Sequence, residues 1–123
     1  MQQISSNDAP QAIGPYSQAI VANGMVFTSG QIALRPDGSF NDGTIIEQAE
    51  QVLQNLQALL KAAGSDFSKV IKTTVFLADM DCFADMNAVY LKFFGDAKPA
   101  RSTVAVKTLP KNAKIEIECV ALV

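Results

Sequence analysis

The chain of 123 residues contains no histidine and only two cysteines. Without histidine it lacks the side chain that titrates nearest neutrality, so any acid-base work falls to other groups. Cys82 and Cys119 lie far apart, with no CxxC and no metal-ligand spacing, which argues for free, partly buried thiols and against a disulfide framework or a zinc site. The opening "MQQISSNDAP" has neither a basic nor an apolar region, and no uncharged apolar stretch reaches the roughly 18 residues a membrane span needs. A cytoplasmic address and no membrane partner are expected. Basic residues are few and scattered: ten Lys and Arg against twelve Asp and Glu leave a net charge of −2, which speaks against nucleic acid as a partner. No P-loop, nucleophile elbow or dinucleotide fingerprint is present. The turn-rich "RPDGSFNDG" fails as a calcium loop, because Gly38 and Gly43 would place Ala33 and Gly38 at the acidic first position.

What is present is regular patterning. Nearly half of the residues are apolar and 18% are charged, a balance that supports one packed domain over residues 1–123. In "YSQAIVANGMVFTSGQIAL" two β-rich runs flank Asn23-Gly24, the dipeptide suited to a tight hairpin turn. "TIIEQAEQVLQNLQALLKAAG" predicts a helix with a capping box at Thr44 and Glu47 and a stop at Gly64. Its inner face carries Ile46, Ala49, Val52, Leu53, Leu56, Leu60 and Ala63. "KVIKTTVFLAD" predicts a central strand with Ile71, Thr73, Val75 and Leu77 on one face. "DMDCFADMNAVYLKFFG" predicts a second amphipathic helix, started by Asp79 or Asp81 and closed by Gly95. Its acids Asp79, Asp81 and Asp85 are read as capping and dipole residues, not as a cation site. The closing "RSTVAVKTLPKNAKIEIECVALV" predicts two strands joined by a turn around Pro110 and Asn112.

The order β-β-α-β-α-β-β gives an α+β class: a mixed sheet with two helices on one face. The other face then carries alternating apolar positions, either Ser102, Val104 and Val106 or Ile115, Ile117 and Cys119. Such a face invites self-association.

Few residues can carry chemistry: Arg101, Glu116, Glu118, Tyr16 and the "TSGQ" turn. Each also has a structural reading, as surface strand positions or as a core tyrosine. Arg101, just after Pro99 and Ala100 at the mouth of a strand, offers a planar fork that can grip a small carboxylate by two parallel hydrogen bonds. If the last two strands form a hairpin, Glu116 lies opposite about Ala105 and roughly 13 Å from Arg101 along the strand. A small substrate could then touch both only at a site formed between chains.

The segments "GPYSQA" (14–19), "TSGQ" (28–31), "NAVY" (87–90), and "PARSTV" followed by "LPKNAKIEIE" resemble, in order and spacing, the reactive intermediate deaminase A family (RidA), also called the YjgF/YER057c/UK114 family. The resemblance runs from end to end. It implies a fold like the chorismate mutase trimer, with sites in clefts between the subunits of a homotrimer. It also implies cofactor-free and metal-free hydrolysis of 2-aminoacrylate, 2-iminopropanoate and related enamine/imine intermediates to 2-keto acids and ammonia. Such intermediates are released by pyridoxal-phosphate serine/threonine dehydratases, the functional partners implied. Carried over residue by residue, Arg101 matches the carboxylate-binding arginine, Glu116 the acid beside the attacking water and Tyr16 the pocket tyrosine. Ser29 and Gly30 match the substrate-contacting turn, and Asn87 a cleft-lining asparagine. Thr103 departs from the cysteine common at that substrate-binding position. Two other readings stay open: a non-catalytic module that binds 2-keto acids for regulation, and an endoribonuclease or translation inhibitor.

Overall fold

The Thr44 capping box forms as its sequence predicts: Glu47 N donates to Thr44 Oγ1 (3.2 Å) and Thr44 N to Glu47 Oε1 (3.0 Å). From it runs α1, Ile45–Ala62, and Gly64 takes the left-handed conformation that ends it (φ +83°). The computed structural model describes residues 1–123. The other elements are β1 (Gln2–Ile4), β2 (Ala19–Ala22), β3 (Met25–Thr28), β4 (Val70–Leu77), α2 (Phe83–Phe94), β5 (Ala100–Ala105) and β6 (Ile115–Leu122). Asn23 and Gly24 both have positive φ between β2 and β3, so the hairpin turn expected there is present. The short strand β1 lies in the stretch read only as a polar start.

The six strands form one mixed sheet in the order β1-β2-β3-β6-β4-β5, antiparallel except for the β4–β5 pair. The predicted C-terminal hairpin does not exist. β5 and β6 both pair with β4, one parallel and one antiparallel, so β4 separates them. The segment around the Pro110–Asn112 3₁₀ turn is a crossing over one end of the sheet, with Lys111 and Asn112 both at positive φ. The expected pairing of Glu116 with Ala105 falls with the hairpin: Glu116 pairs with Phe76.

Both helices cover one face. Buried beneath them are Val75 and Leu77 of β4 and Ile115, Ile117, Cys119 and Ala121 of β6, within a core cluster of 23 residues, with the polar Thr73 of β4 buried beside them. The expectation that Ile115, Ile117 and Cys119 belong to an uncovered face is therefore corrected, while Ser102 and Val104 do lie on it. Ile71 is also exposed (43%), because a β-bulge between Val70 and Lys72 takes it out of the Thr73–Leu77 alternation. On α1, Ile45 is buried where Ile46 was expected, Ile46 being 42% exposed. Asp79 caps a 3₁₀ turn, Met80–Cys82, that leads into α2. The open face presents Phe27, Phe76, Val104, Val120 and Leu122 among Lys72, Ser102, Glu116 and Glu118, as strand alternation and register require.

Candidate functional site

The candidate residues fall into two groups at different parts of the sheet. The first is built on the edge strand β5 and on α2. Arg101 is half-buried and turns toward the helices, in register with Thr73 of β4. Its Nη1 donates to Asn87 Oδ1 at 2.7 Å. The guanidinium carbon lies 4.7 Å from the Tyr90 ring centroid and 5.5 Å from that of Phe83. Asn87, Tyr90 and Phe83 reach it together because residues three and four apart share a helix face. Arg101 has no carboxylate partner, the one ion pair in the chain being Lys92–Glu50 (3.3 Å). A partly desolvated, oriented guanidinium with donors to spare suits a carboxylate ligand. Two residues along the strand, the Thr103 hydroxyl is buried without a hydrogen-bond partner.

The second group lines a cleft of about 360 Å³ that contains Tyr16, Gly30, Gln31, Pro110, Lys111 and Glu116. The "TSGQ" turn is pinned beside Glu116 by a two-way bridge, Gln31 N to Ile117 O (2.9 Å) and Ile117 N to Gln31 O (3.1 Å). Ser29 donates through N to Gln18 O (2.9 Å) and through Oγ to Ser17 O (2.6 Å), which ties the 14–18 segment to the turn. The Tyr16 ring stands 53% exposed at the cleft. Gly30 lies directly under the Glu116 carboxylate: a Cβ there would come 2.2 Å from Oε2. Burial pushes the Glu116 carboxyl above its ordinary value, and the negative charge of Glu118 adds to the effect. Such a carboxyl exchanges protons closer to neutrality than a solvated one.

Within one chain these groups do not meet. Arg101, Thr73 and Cys119 stand in one row across three strands, and Glu116 lies three residues from Cys119 on the opposite face. Three residues along and two strands across amount to roughly 14 Å. So the separation deduced from a hairpin persists on a different geometry.

Sequence reasoning missed Lys111, and it gave no role of their own to Gln31 within the "TSGQ" turn or to the buried Gln18 within "GPYSQA". Gln18 holds the cleft wall by donating to Pro10 O (2.7 Å) and Ser6 O (3.1 Å) and accepting from Ser6 N (2.8 Å). The turn signature "LPKN" was the available signal for Lys111, and the motif "GPYSQA" was the one for Gln18. Neither thiol supplies a thiolate near neutral pH: burial pushes Cys119 up to about 11, and burial followed by the charges of Asp79, Asp85 and Asp81 raises Cys82. No group of three His, Cys, Asp or Glu side chains is placed to hold a metal ion, and no helix is long and apolar enough to cross a membrane.

Fold and site together define an α+β protein of the chorismate-mutase-like kind, with a cationic half-site on one sheet edge and an acid-bearing cleft on the opposite face. The chain belongs to the YjgF/RidA family, whose family model, described as Endoribonuclease L-PSP, matches residues 6–123. It is 52% identical over 119 residues to the chloroplastic reactive intermediate deaminase A of Arabidopsis thaliana, covering 96% of this chain and 64% of that protein. It is 46% identical over 120 residues to the 2-iminobutanoate/2-iminopropanoate deaminase of Mus musculus, covering 97% and 89%. Among solved structures, E. coli TdcF with bound serine superposes with a TM-score of 0.95 at 42% identity, covering 100% of this chain and 99% of that one. Since one relative is chloroplastic, membership of the family does not by itself carry the cytoplasmic address expected above.

Proposed function

We propose that the protein is a hydrolytic deaminase of small carboxylate-bearing imines, 2-iminopropanoate and 2-iminobutanoate and their enamine tautomers, releasing pyruvate or 2-oxobutanoate and ammonia. The observation that carries this reading is Arg101, half-buried, aimed by Asn87 and free of any carboxylate in its own chain. The deaminase names of the Arabidopsis and mouse relatives support it, as does the amino acid bound in E. coli TdcF. Arg101 grips the substrate carboxylate. Glu116, contributed by a neighbouring copy across the open sheet face of a homotrimer, takes a proton from the attacking water. The water oxygen bonds to C2 of the iminium, and the proton on Glu116 then passes to the amino nitrogen. That nitrogen leaves as ammonia with the C–N electron pair, while the hydroxyl oxygen forms the keto group and loses its proton. A protonated imine is already electrophilic, so positioning and modest acid-base help suffice without a cofactor. PLP-dependent dehydratases acting on serine or threonine would supply the substrate in the cytoplasm.

The test is keto-acid release from a serine or threonine dehydratase reaction with and without the protein. Wild type accelerates it, and Arg101→Ala, folded by thermal unfolding, does not. Near-normal acceleration by that variant would refute the mechanism. A ligand-sensing role is the second reading, favoured by serine in TdcF; binding of 2-oxobutanoate without turnover would establish it. The ribonuclease reading follows the description of the family model but lacks a basic surface stripe, the net charge being −2.

A further inference from the structure

The Arg101 fork must present its free donors in a fixed plane to bind a carboxylate by two hydrogen bonds. Asn87 holds only one nitrogen of that fork. A single hydrogen bond leaves the guanidinium free to swing about it. What restrains the plane is the ring beneath it. Tyr90 is 8% exposed and its ring is held at several points. Phe94, one turn on, stacks with it at 4.3 Å and 22° between planes, and Phe67 in turn meets Phe94 edge-on at 4.8 Å. The Tyr90 hydroxyl is bonded at 2.7 Å to Thr73 Oγ1, and Thr73 is fully buried on the central strand β4. Thr73 is also the register partner of Arg101 itself. The strand that carries the arginine and the ring on which the arginine lies are therefore keyed to the same residue.

We infer that Tyr90 is a positioning residue for the carboxylate clamp: its ring, locked by Phe94 and by the Thr73 hydroxyl, sets the plane in which Arg101 meets the ligand. The inference rests on the proposal that Arg101 binds a carboxylate, and it goes beyond that proposal in assigning the geometry of the clamp to a residue that touches no ligand. Three features separate it from ordinary core packing. The guanidinium lies closer to Tyr90 than to Phe83, the hydroxyl finds its partner on the strand paired with β5, and the Arg101 donors beyond Asn87 have no protein acceptor. A leucine at 90 would fill much of the volume but offer no flat electron-rich face, so the guanidinium would sample several orientations about its bond to Asn87.

The experiment measures 2-oxobutanoate binding by calorimetry alongside imine hydrolysis, for wild type, Tyr90→Leu and the double variant Thr73→Val/Tyr90→Phe. The double variant removes both members of the buried hydroxyl pair, a change close to neutral for folding, and keeps the ring. Tyr90→Leu should weaken binding roughly fivefold to tenfold and raise KM by a similar factor with a smaller change in kcat, while the double variant, its ring present but no longer tied to β4, should show a smaller loss in the same direction. Placed on Arg101→Lys, which has no planar fork, Tyr90→Leu should have little further effect; generalised damage to the fold would instead weaken binding in both backgrounds. Unchanged binding by Tyr90→Leu overturns the inference. Tight binding by wild type without turnover would refute the hydrolase reading and leave the Tyr90 comparison intact. No measurable binding by wild type would overturn the clamp and the positioning role together.

Discussion

Replacing Gly30 by alanine tests the acid in the cleft without touching it. The new Cβ would stand 2.2 Å from Glu116 Oε2, 2.9 Å from its Cδ and 3.2 Å from its Cγ, against ordinary contact beginning near 3.4 Å. The carboxylate must therefore retreat by about 1.2 Å, and as the far end of a flexible side chain it can do so at little cost. Gly30 is not among the glycines at positive φ, so alanine fits the backbone, and the reduced freedom of the unfolded chain offsets part of the strain by about 0.4–1 kcal/mol. Net stability should stay within about 1 kcal/mol of wild type. Catalysis should not, because a displacement of about 1 Å from the reacting geometry can cost on the order of 100-fold. The assay is acceleration of keto-acid release from freshly generated 2-iminopropanoate, read beside thermal unfolding. On a Glu116→Gln background, Gly30→Ala should cause no additional loss, since the group it displaces no longer holds a proton to exchange. A folded Gly30→Ala protein with wild-type kcat would show that the position of Glu116 is irrelevant to the chemistry and would remove it from the mechanism.

Two further outcomes follow from the same geometry. Burial raises the Glu116 carboxyl in the folded state, so the native protein binds its proton more tightly than the unfolded chain and stability falls as pH rises from the ordinary 4.5 through the raised value. Glu116→Gln should accordingly melt higher than wild type at neutral pH, the gap closing below the ordinary carboxylate value; a gap independent of pH between about 4 and 8 would contradict this. Thr103→Val removes a buried hydroxyl that has no partner in the chain, so the variant should be as stable as wild type or up to about 1 kcal/mol more so; a clear loss on thermal unfolding would reveal an acceptor or donor supplied by another copy.

Local rules made much of the fold readable. The Thr44 box, the glycine after α1 and the Asn23-Gly24 turn depend on interactions within a few residues, and each is found where the sequence places it. Apart from Ile46 on the α1 stripe, the failures are nonlocal. A hairpin between the last two strands is the economical reading of two alternating runs joined by a turn, yet the 3₁₀ turn at Pro110–Asn112 carries the chain past β4, so β6 inserts between β3 and β4. The sequence also left open whether Ile115, Ile117 and Cys119 or Ser102 and Val104 face away from the helices, because alternation does not say which set of residues meets them; the structure buries the first set and exposes the second. The bulge at Val70/Lys72 displaced Ile71 for the same reason: one unpaired residue shifts every side chain before it.

By itself the sequence determined both helices, the capping box of α1, every strand but β1, the absence of histidine, the planar cation at Arg101 and the family motifs, all carried by residue type and short spacing. Only the tertiary structure decided that Arg101 turns toward α2, where Asn87 and Tyr90 receive it, while Glu116 turns to the other face above Gly30. Side chains on a strand alternate between two faces, and which face belongs to which partner is settled by strand order. Strand order in turn is set by burial of the whole apolar surface, a sum over the sheet that no single segment contains.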